Sequence, residues 1–384
     1  MIKTISKILA LNAVRLILKL LWVLPIKKNR IVFSSHSGSK YSCNPKYVYE
    51  YLRRARVGCD YIWILNENPA QFSELQDSRI VESGSLKYLY FMMTCKVFVT
   101  NDGFGGYLPL RESQLVINTW HGGGVYKSSG LGGNSQLNPA DVVSLRHMSN
   151  SLTWFVSSSK AFTENMARYY LVPEEKFLPV GMPRNDRLFQ RSEYEACSER
   201  VKKELGLNNA IRLVLYTPTF RGAVQNGKND FELDVDRLLI RLEKKFGDKF
   251  VLLYRVHHSV KDIKKMANVL DVSDYSDVQI LLAAADVLIS DYSSILWDYS
   301  LTNKPCFIFA PDFDSYTSQD RGFSSKAETW PFPIATDNST LDFNIKAYDQ
   351  AHYDLALNDH YSNLVSYERG DATKILGDLI LKSL

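Results

Sequence analysis

Short apolar runs alternate with longer, helix-compatible stretches along the chain from residue 30 onward. The runs end in Gly, Ser, Asp or Asn, as strands do where they enter loops. They are IVFSS (31–35), YIWILN (61–66), VFVTND (97–102), LVINTWHG (115–122), TWFVSSS (153–159), FLPVGM (177–182), RLVLYTPTF (212–220), FVLLYRVH (250–257), VLDVSD (269–274), VLISDYS (287–293) and PCFIFAP (305–311). Strands that alternate with helices predict right-handed βαβ units and parallel sheets.

This pattern pauses at a charged, helix-compatible stretch near 193–206 and then restarts. We therefore predict an α/β protein with two Rossmann-like, doubly wound domains facing a cleft. The expected boundaries are a basic amphipathic helix at 1–29, an N-terminal acceptor domain at 30–185 and a C-terminal ligand-binding domain at 186–384. The final helix-compatible stretch, 370–384, is a candidate to cross back to the first domain.

The N-terminal segment differs from the rest of the chain. Its charged residues Lys3, Lys7, Arg15 and Lys19 fall on one half of a helix, and no acidic residue precedes Glu50. The opposite half carries Ile2, Ile5, Leu9, Leu16, Leu20 and Val23. A basic amphipathic helix of this kind is typical of the membrane interface. The charges argue against a spanning helix and a cleaved signal peptide, and packing on the protein itself is the alternative.

Composition narrows the function classes. The 384 residues are 45% hydrophobic and 23% charged with a formal charge of +4, and the basic residues are dispersed, which does not favour a nucleic-acid partner. Five widely spaced cysteines, at 43, 59, 95, 197 and 306, predict reduced thiols and no metal site.

The most informative stretch is 281–309. There the apolar run VLIS ends at Asp291, and Ser293 and Ser294 open a predicted helix. A helix that begins at the carboxyl end of a buried strand offers N–H groups and hydroxyls to a phosphate. The same residues suit simple helix capping, so both interpretations stand at this point.

Other strand ends carry candidate site residues. In Thr119-Trp-His-Gly-Gly-Gly124, three glycines allow close backbone approach. His121 at the entrance of this loop is a candidate general base, and a histidine that only satisfies a tight turn is the alternative. Arg255 and His257 are two residues apart on a predicted strand, so their side chains lie on the same face of the sheet. There they could bind phosphate oxygens together. Arg184 and Arg221 follow two further strand ends, and Asp298 is a candidate acceptor from a ribose hydroxyl or a partner of the helix dipole.

These segments, in this order, resemble the CDP-glycerol glycerophosphotransferase family, which primes and polymerises teichoic acids. The resemblance covers YSCNPKYVYEYL (41–52), the WHG loop, GMPRND, YTPTFRG, YRVH, SDYSSILWDYSLTNKPCFIF and RGF (321–323). In length the chain is most similar to the primase-type members. The resemblance implies a glycosyltransferase-B-like fold in which the C-terminal domain holds CDP-glycerol.

The resemblance also implies individual roles. His121 matches the proposed base of the WHG loop, and Trp120 and Gly122 flank it. Arg255 and His257 match a pair that contacts the diphosphate, and His257 is also a catalytic candidate. Ser293 and Ser294 match phosphate-binding serines. Arg184, Pro218, Thr219 and Asp298 match other nucleotide-binding positions. Arg221 and Asp291 are substrate-binding candidates because of their places at strand ends.

The chain departs from the family in the loop after the tryptophan. Members commonly read HGTPLKK, whereas here Gly123, Gly124, Val125 and Tyr126 replace Thr, Pro, Leu and the first Lys, and Lys127 is kept. We expect a more flexible and less basic loop, which leaves the acceptor open.

The expected function is a peripheral transferase at the cytoplasmic face of the cell membrane. It moves glycerol phosphate from CDP-glycerol, or a related CDP-polyol, to a lipid-linked saccharide or polymer and releases CMP. No cofactor is indicated, and Mg²⁺ stays an open alternative. Two other hypotheses are a transferase of the same fold that uses CDP-ribitol or a nucleotide sugar for capsule or lipopolysaccharide synthesis, and a non-catalytic scaffold.

Overall fold

The protein was analysed as a computed structural model that describes residues 2–55, 58–66, 68, 72–124, 126–133, 137–219, 233–256, 268–313, 323–325 and 327–384. The chain forms two compact units. The first comprises Met1–Gly123, Ser129–Asp186 and Ser366–Leu384, and the second comprises Gly124–Ser128 and Arg187–Val365. The last segment of the chain therefore belongs to the first unit.

The first unit contains a seven-stranded parallel sheet with the order β3-β2-β1-β4-β5-β6-β7. Its strands are β1 (Lys27–Ser34), β2 (Asp60–Ile64), β3 (Arg79–Val81), β4 (Cys95–Thr100), β5 (Leu115–Asn118), β6 (Trp154–Ser157) and β7 (Phe177–Pro179). Its helices are α1 (Ile2–Leu18), α2 (Cys43–Arg54), α3 (Leu86–Thr94), α4 (Pro139–Ser151), α5 (Lys160–Tyr170) and, from the end of the chain, α12 (Ala372–Ser383).

The second unit contains a six-stranded parallel sheet with the order β10-β9-β8-β11-β12-β13. Its strands are β8 (Arg212–Thr217), β9 (Phe250–Tyr254), β10 (Val269–Asp271), β11 (Val287–Ser290), β12 (Cys306–Phe309) and β13 (Ile334–Ala335). Its helices are α6 (Arg191–Glu204), α7 (Val235–Phe246), α8 (Val278–Ala284), α9 (Ile295–Ser300), α10 (Asn338–Ala347) and α11 (Gln350–Leu364).

Alternation along the strands builds a hydrophobic core on each face of the second sheet. Leu213 and Leu215 of β8 pack in one cluster, while Val214 and Tyr216 pack in the other. A strand buried on both faces needs apolar residues at every position, and this explains the continuous apolar runs in the sequence.

Both sheets reverse their strand order once. The reversal lies between β1 and β4 in the first sheet and between β8 and β11 in the second. Ligands of open α/β sheets bind beyond the carboxyl ends of the strands at such a reversal. The two parallel sheets confirm the predicted class of two Rossmann-like, doubly wound domains.

All eleven predicted strands are present, and two further strands were not predicted. β3 has three residues and β13 has two, and each lies at an edge of its sheet. Ile80 and Val81 of β3 stand between Arg79 and Glu82, and Ile334 and Ala335 of β13 stand between Pro333 and Thr336, so neither pair belongs to a longer apolar run that predicts a strand.

The N-terminal helix packs on the first unit through one of its faces. Arg15 donates from Nη1 to the carbonyls of Gly106 (2.9 Å) and Leu108 (2.6 Å), and Trp22 donates from Nε1 to the carbonyl of Pro109 (2.7 Å). The prediction that Arg15 belongs to a lipid-facing basic surface is therefore wrong, because its guanidinium binds backbone carbonyls. No helix in the described ranges is long and apolar enough to cross a membrane.

Candidate functional site

The strand ends at the reversal of the second sheet are held together by Asp291. Its carboxylate follows β11 and accepts hydrogen bonds from the backbone N–H of Thr219 (2.8 Å), the Thr219 hydroxyl and the N–H of Tyr292 (2.6 Å). At the last residues of these two strands, the Thr217 hydroxyl donates to the Ser290 hydroxyl at 3.0 Å. Asp291 thus fixes the turn after β8, including Pro218, against the turn after β11.

The serines that follow Asp291 fill different roles. Ser293 accepts the backbone N–H of Ile295 at 3.3 Å, which is the capping role that the sequence left open. Ser294 makes no side-chain cap bond, and its side chain is half-buried. The helix that they open, α9, has only six residues, so its dipole is weaker than the sequence argument assumed.

Asp298 lies inside the second unit rather than at its surface. Its side chain is buried and accepts a hydrogen bond from Nε2 of Gln279 at 2.9 Å. The buried Asp298 carboxylate therefore joins α9 to α8 in the interior of the second unit.

Arg255 follows β9, on the strand next to β8. Its Nη1 donates to the carbonyls of Val272 (2.9 Å) and Tyr275 (2.7 Å), which fixes the guanidinium on the loop after β10. Burial lowers the pKa of Arg255, and the nearby carboxylates of Asp277, Asp274 and Asp271 oppose that shift. The geometry presents a fixed, positively charged group beside the strand ends.

His121 lies in the first unit, just beyond β5. Its Nδ1 is 2.8 Å from the carbonyl of Asn101, a group that can only accept, so Nδ1 carries the proton and Nε2 is the basic nitrogen. In the described part of the chain, Nε2 has no hydrogen-bond partner. The ring stacks on Trp120 with centroids 4.5 Å apart. Burial lowers the pKa of His121, so the imidazole is neutral at pH 7, as a general base requires.

Two side chains hold the backbone of this loop. Asn44 donates from Nδ2 to the carbonyls of Thr119 (3.0 Å) and Trp120 (2.8 Å), and Arg184 donates from Nη1 to the carbonyl of His121 (2.7 Å). Trp120 has φ 51°, a strained value for a non-glycine residue, and these contacts hold it there. Arg184 therefore lies with His121 in the first unit, within the predicted range 30–185, and its predicted nucleotide-binding role stays a prediction.

The glycines after His121 lead into the second unit. Ser158 of the first unit donates from its hydroxyl to the carbonyl of Gly123. A Cβ on Gly124 would lie 2.7 Å from the ring of Tyr126 and 3.1 Å from Trp297, so the chain needs glycine there. Tyr126 is buried and bonds through its hydroxyl to Nε2 of His360 at 3.1 Å. Tyr126 therefore anchors a loop for which the sequence predicted only more flexibility.

Two predicted site residues, Arg221 and His257, lie outside the described residues, as do two residues of the RGF motif. Gly122 is buried beside His121, and Lys127 pairs its backbone with Phe323. The sequence analysis did not identify His36, Asn44 or Asn101. Asn101 could have been found from the strand end VFVTND, because it follows β4 at the strand reversal, and Asn44 could have been found from the YSCNP motif at the start of α2.

The described residues include no group of three or more His, Cys, Asp or Glu side chains that could hold a metal ion, and the five cysteines are free thiols.

Comparison with known proteins relates this geometry to teichoic acid synthesis. Residues 16–382 match the family model described as CDP-glycerol:poly(glycerophosphate) glycerophosphotransferase. A teichoic acid glycerol-phosphate transferase of Staphylococcus aureus is 28% identical over 398 aligned positions, covering 100% of both chains. A teichoic acid poly(glycerol phosphate) polymerase of Staphylococcus epidermidis is 31% identical over 94% of this chain, which spans 51% of that relative's length.

A solved structure shows the same fold. It is the wall teichoic acid polymerase TagF, in a histidine-to-asparagine variant soaked with CDPG. The match has a TM-score of 0.82 and 28% sequence identity, and it covers 100% of this chain and 98% of the other.

Proposed function

Because the chain belongs to the CDP-glycerol:poly(glycerophosphate) glycerophosphotransferase family, we propose that it transfers glycerol phosphate from CDP-glycerol to a hydroxyl of a lipid-linked saccharide or polymer. The product is a phosphodiester, and CMP is released. The observation that carries this proposal is the tautomer of His121, whose Nδ1–H is fixed on the Asn101 carbonyl and whose Nε2 is left basic.

In the proposed reaction, His121 removes the proton from the acceptor hydroxyl. The acceptor oxygen then attacks the glycerol-bearing phosphorus, and the bond from this phosphorus to the oxygen bridging to CMP breaks. The electron pair of that bond leaves with CMP. A neutral imidazole is the form that can accept the proton, and its lowered pKa keeps it in that form.

The second unit supplies the donor-binding groups. We assign the diphosphate to the strand ends after β8, β9 and β11, where Arg255 brings a fixed positive charge and Asp291 holds the two turns in place. Ser294 is a further proposed phosphate ligand, and His257 and Arg221 are carried over from the family motifs. Positioned cations matter here because charge stabilisation and positioning dominate catalysis of phosphoryl transfer.

A membrane surface is the proposed location of the acceptor. The helix α1 and the following turn at Lys19–Val23 leave Leu9, Leu16, Leu20 and Val23 exposed by 64%, 68%, 72% and 85%. On a helical projection of the α-helix, Leu9 and Leu16 lie about 20° apart, and Leu20 and Val23, three residues apart on the following 3-10 turn, share one side of that turn. We propose that this apolar stripe enters the cytoplasmic face of the cell membrane, while the opposite face of α1 stays packed on the protein.

The proposal is tested by measuring CMP release from CDP-glycerol with a synthetic lipid-linked saccharide acceptor. We expect His121→Asn to lower kcat/KM by about 100-fold or more, since general base catalysis contributes about 10² to 10⁴. His352→Gln is the matched control, because His352 is exposed on α11, and it should keep the native rate. Equal rates for His121→Asn and native protein would remove His121 as the base.

A second candidate donor is CDP-ribitol. The observation that favours it is the loop after His121, where Gly123 and Gly124 replace larger family residues. Thermal unfolding with CDP-glycerol, CDP-ribitol and a nucleotide sugar separates the donors, since a ligand at 100 times its Kd stabilises by about 2.7 kcal/mol. Stabilisation by CDP-ribitol alone would replace CDP-glycerol in the proposal.

A further inference from the structure

A second histidine lies beside His121 in the first unit. The ring centroids of His36 and His121 are 5.6 Å apart, and His36 is separated from the end of β1 by Ser35 alone. Asn101 follows β4, the strand next to β1 at the reversal of the sheet, so both residues stand at the edge where such sheets bind ligands.

Asn101 connects the two imidazoles. Its Oδ1 accepts the backbone N–H of His36 at 2.8 Å, which places its Nδ2 toward Nε2 of His36 at 3.4 Å. Its own carbonyl accepts Nδ1–H of His121. Because Nδ2 can only donate, His36 accepts with Nε2 and is neutral in this arrangement. One buried asparagine thus sets the tautomer of both histidines.

The backbone around His36 is strained. His36, Ser37 and Gly38 have φ values of 47°, 55° and 87°, three successive residues in the left-handed region. Only glycine adopts this region readily, so the chain holds two costly residues here. The turn is secured by the Ser37 hydroxyl, which donates to Asp102 at 2.8 Å. The buried Ser35 hydroxyl beside it has no partner within the described ranges.

We propose that His36 is a positioning residue for the transfer reaction, which acts through Asn101 to hold the orientation and the tautomer of His121. This inference rests on the proposed function. The reaction then requires both imidazoles to be neutral, because protonated His36 would lose its hydrogen bond from Asn101 and would add a positive charge beside His121.

The surrounding charges fit this requirement. Burial lowers the pKa of His36, Arg184 and Lys40 lower it further, and Asp102 opposes them. His36 is in turn one of the groups that lower the pKa of His121, after burial, whereas Cys43 and Asp102 raise it. The two titrations are therefore coupled.

The test is the acid limb of the pH profile of kcat/KM for CMP release. In the native protein, the logarithm of kcat/KM should fall toward low pH with a limiting slope of about two, because each of two protonations abolishes activity.

His36→Gln keeps an acceptor for Asn101 and cannot ionise at these pH values. Its rate should therefore stay within about threefold of the native rate at pH 8, and its acid limb should have a slope of about one. His36→Phe keeps the ring size without an acceptor, and its rate should fall by about tenfold or more while KM for CDP-glycerol is unchanged.

The control is His352→Gln, which should keep the native slope. A slope of about one in native protein, or the native slope in His36→Gln, would overturn the inference even if His36→Phe fails to fold. Absence of CMP release from native protein with any donor would instead overturn the proposed function.

Discussion

At the scale of single residues, polar side chains with backbone partners build the proposed site. Asn44 and Arg184 bind the carbonyls of Thr119, Trp120 and His121, and Asp291 binds N–H groups of Thr219 and Tyr292. Each of these side chains fixes a turn at the end of a strand, so replacing one changes the shape of the site as well as its charge.

The Tyr126 anchor makes the second unit sensitive to acid. Burial lowers the pKa of His360 to about 4, and its Nε2 is 3.1 Å from the Tyr126 hydroxyl. The unfolded chain, in which the pKa is near 6.5, binds the proton more tightly. The contribution of His360 to the free energy of unfolding is therefore complete above pH 6.5. It is lost as the pH falls toward 4, and the loss is at most about 3 kcal/mol.

We expect His360→Gln to remove most of this dependence, because glutamine can accept from Tyr126 without taking a proton. Urea unfolding at pH 7.5, 5.5 and 4.5 measures the effect. His352→Gln should keep the native pH dependence, and an unchanged dependence in His360→Gln would show that other groups cause the acid loss.

The sequence predicted the polar side chains that follow the ends of strands, including His121, Arg255 and Asp291. It did not find His36 or Asn101, because their importance comes from the neighbourhood of β1 and β4, which are separated by about 60 residues in the sequence. It placed Arg184 before the predicted boundary at 185, but it carried no signal for the contact of this side chain with the carbonyl of His121.

At the scale of elements, the apolar runs predicted the buried strands well because strands covered on both faces have few polar positions. Edge strands β3 and β13 lacked such a signal. The N-terminal helix was predicted from the helical spacing of its apolar and basic residues. This spacing could not distinguish the face that packs on the protein from the face that stays exposed.

The exposed stripe of α1 gives an element-scale prediction. Leu9→Asp, Leu16→Asp and Leu20→Asp together should reduce flotation with anionic liposomes by about tenfold or more, since each polar replacement removes apolar area from the lipid contact. The matched control is Phe343→Asp with Leu355→Asp, two residues that are each 65% exposed in the second unit. Equal loss in both variants would contradict membrane insertion by the stripe.

At the scale of the whole molecule, half-buried polar contacts secure the return of the chain to its first unit. Asp186 accepts the N–H groups of Ala372 and Thr373 at the start of α12, and Glu368 accepts the N–H of Met182. The sequence suggested such a crossing only from a helix-compatible stretch, and it carried no signal for the partners Asp186 and Met182.

Gly377 of α12 gives the prediction at this scale. A Cβ there would lie 2.3 Å from the ring of Tyr51 on α2, so Gly377→Ala should separate the two helices and cost about 1 to 3 kcal/mol. Hydrogen exchange should then increase in α2 and α12 and stay unchanged in the second sheet. Lys382→Ala, on the exposed side of α12, is the control. Uniform exchange changes in both units would show that the helix stabilises more than its own unit.

The discontinuous first unit also has a consequence for synthesis. The ribosome makes all seven strands of the first sheet, then the entire Arg187–Val365 segment, and only afterwards the Ser366–Leu384 segment that closes the first unit. While the second unit is being translated and begins to fold, the first unit therefore lacks α12. During this interval the surface of α2 around Tyr51 is uncovered, which makes it the part of the nascent chain where a chaperone would be expected to bind.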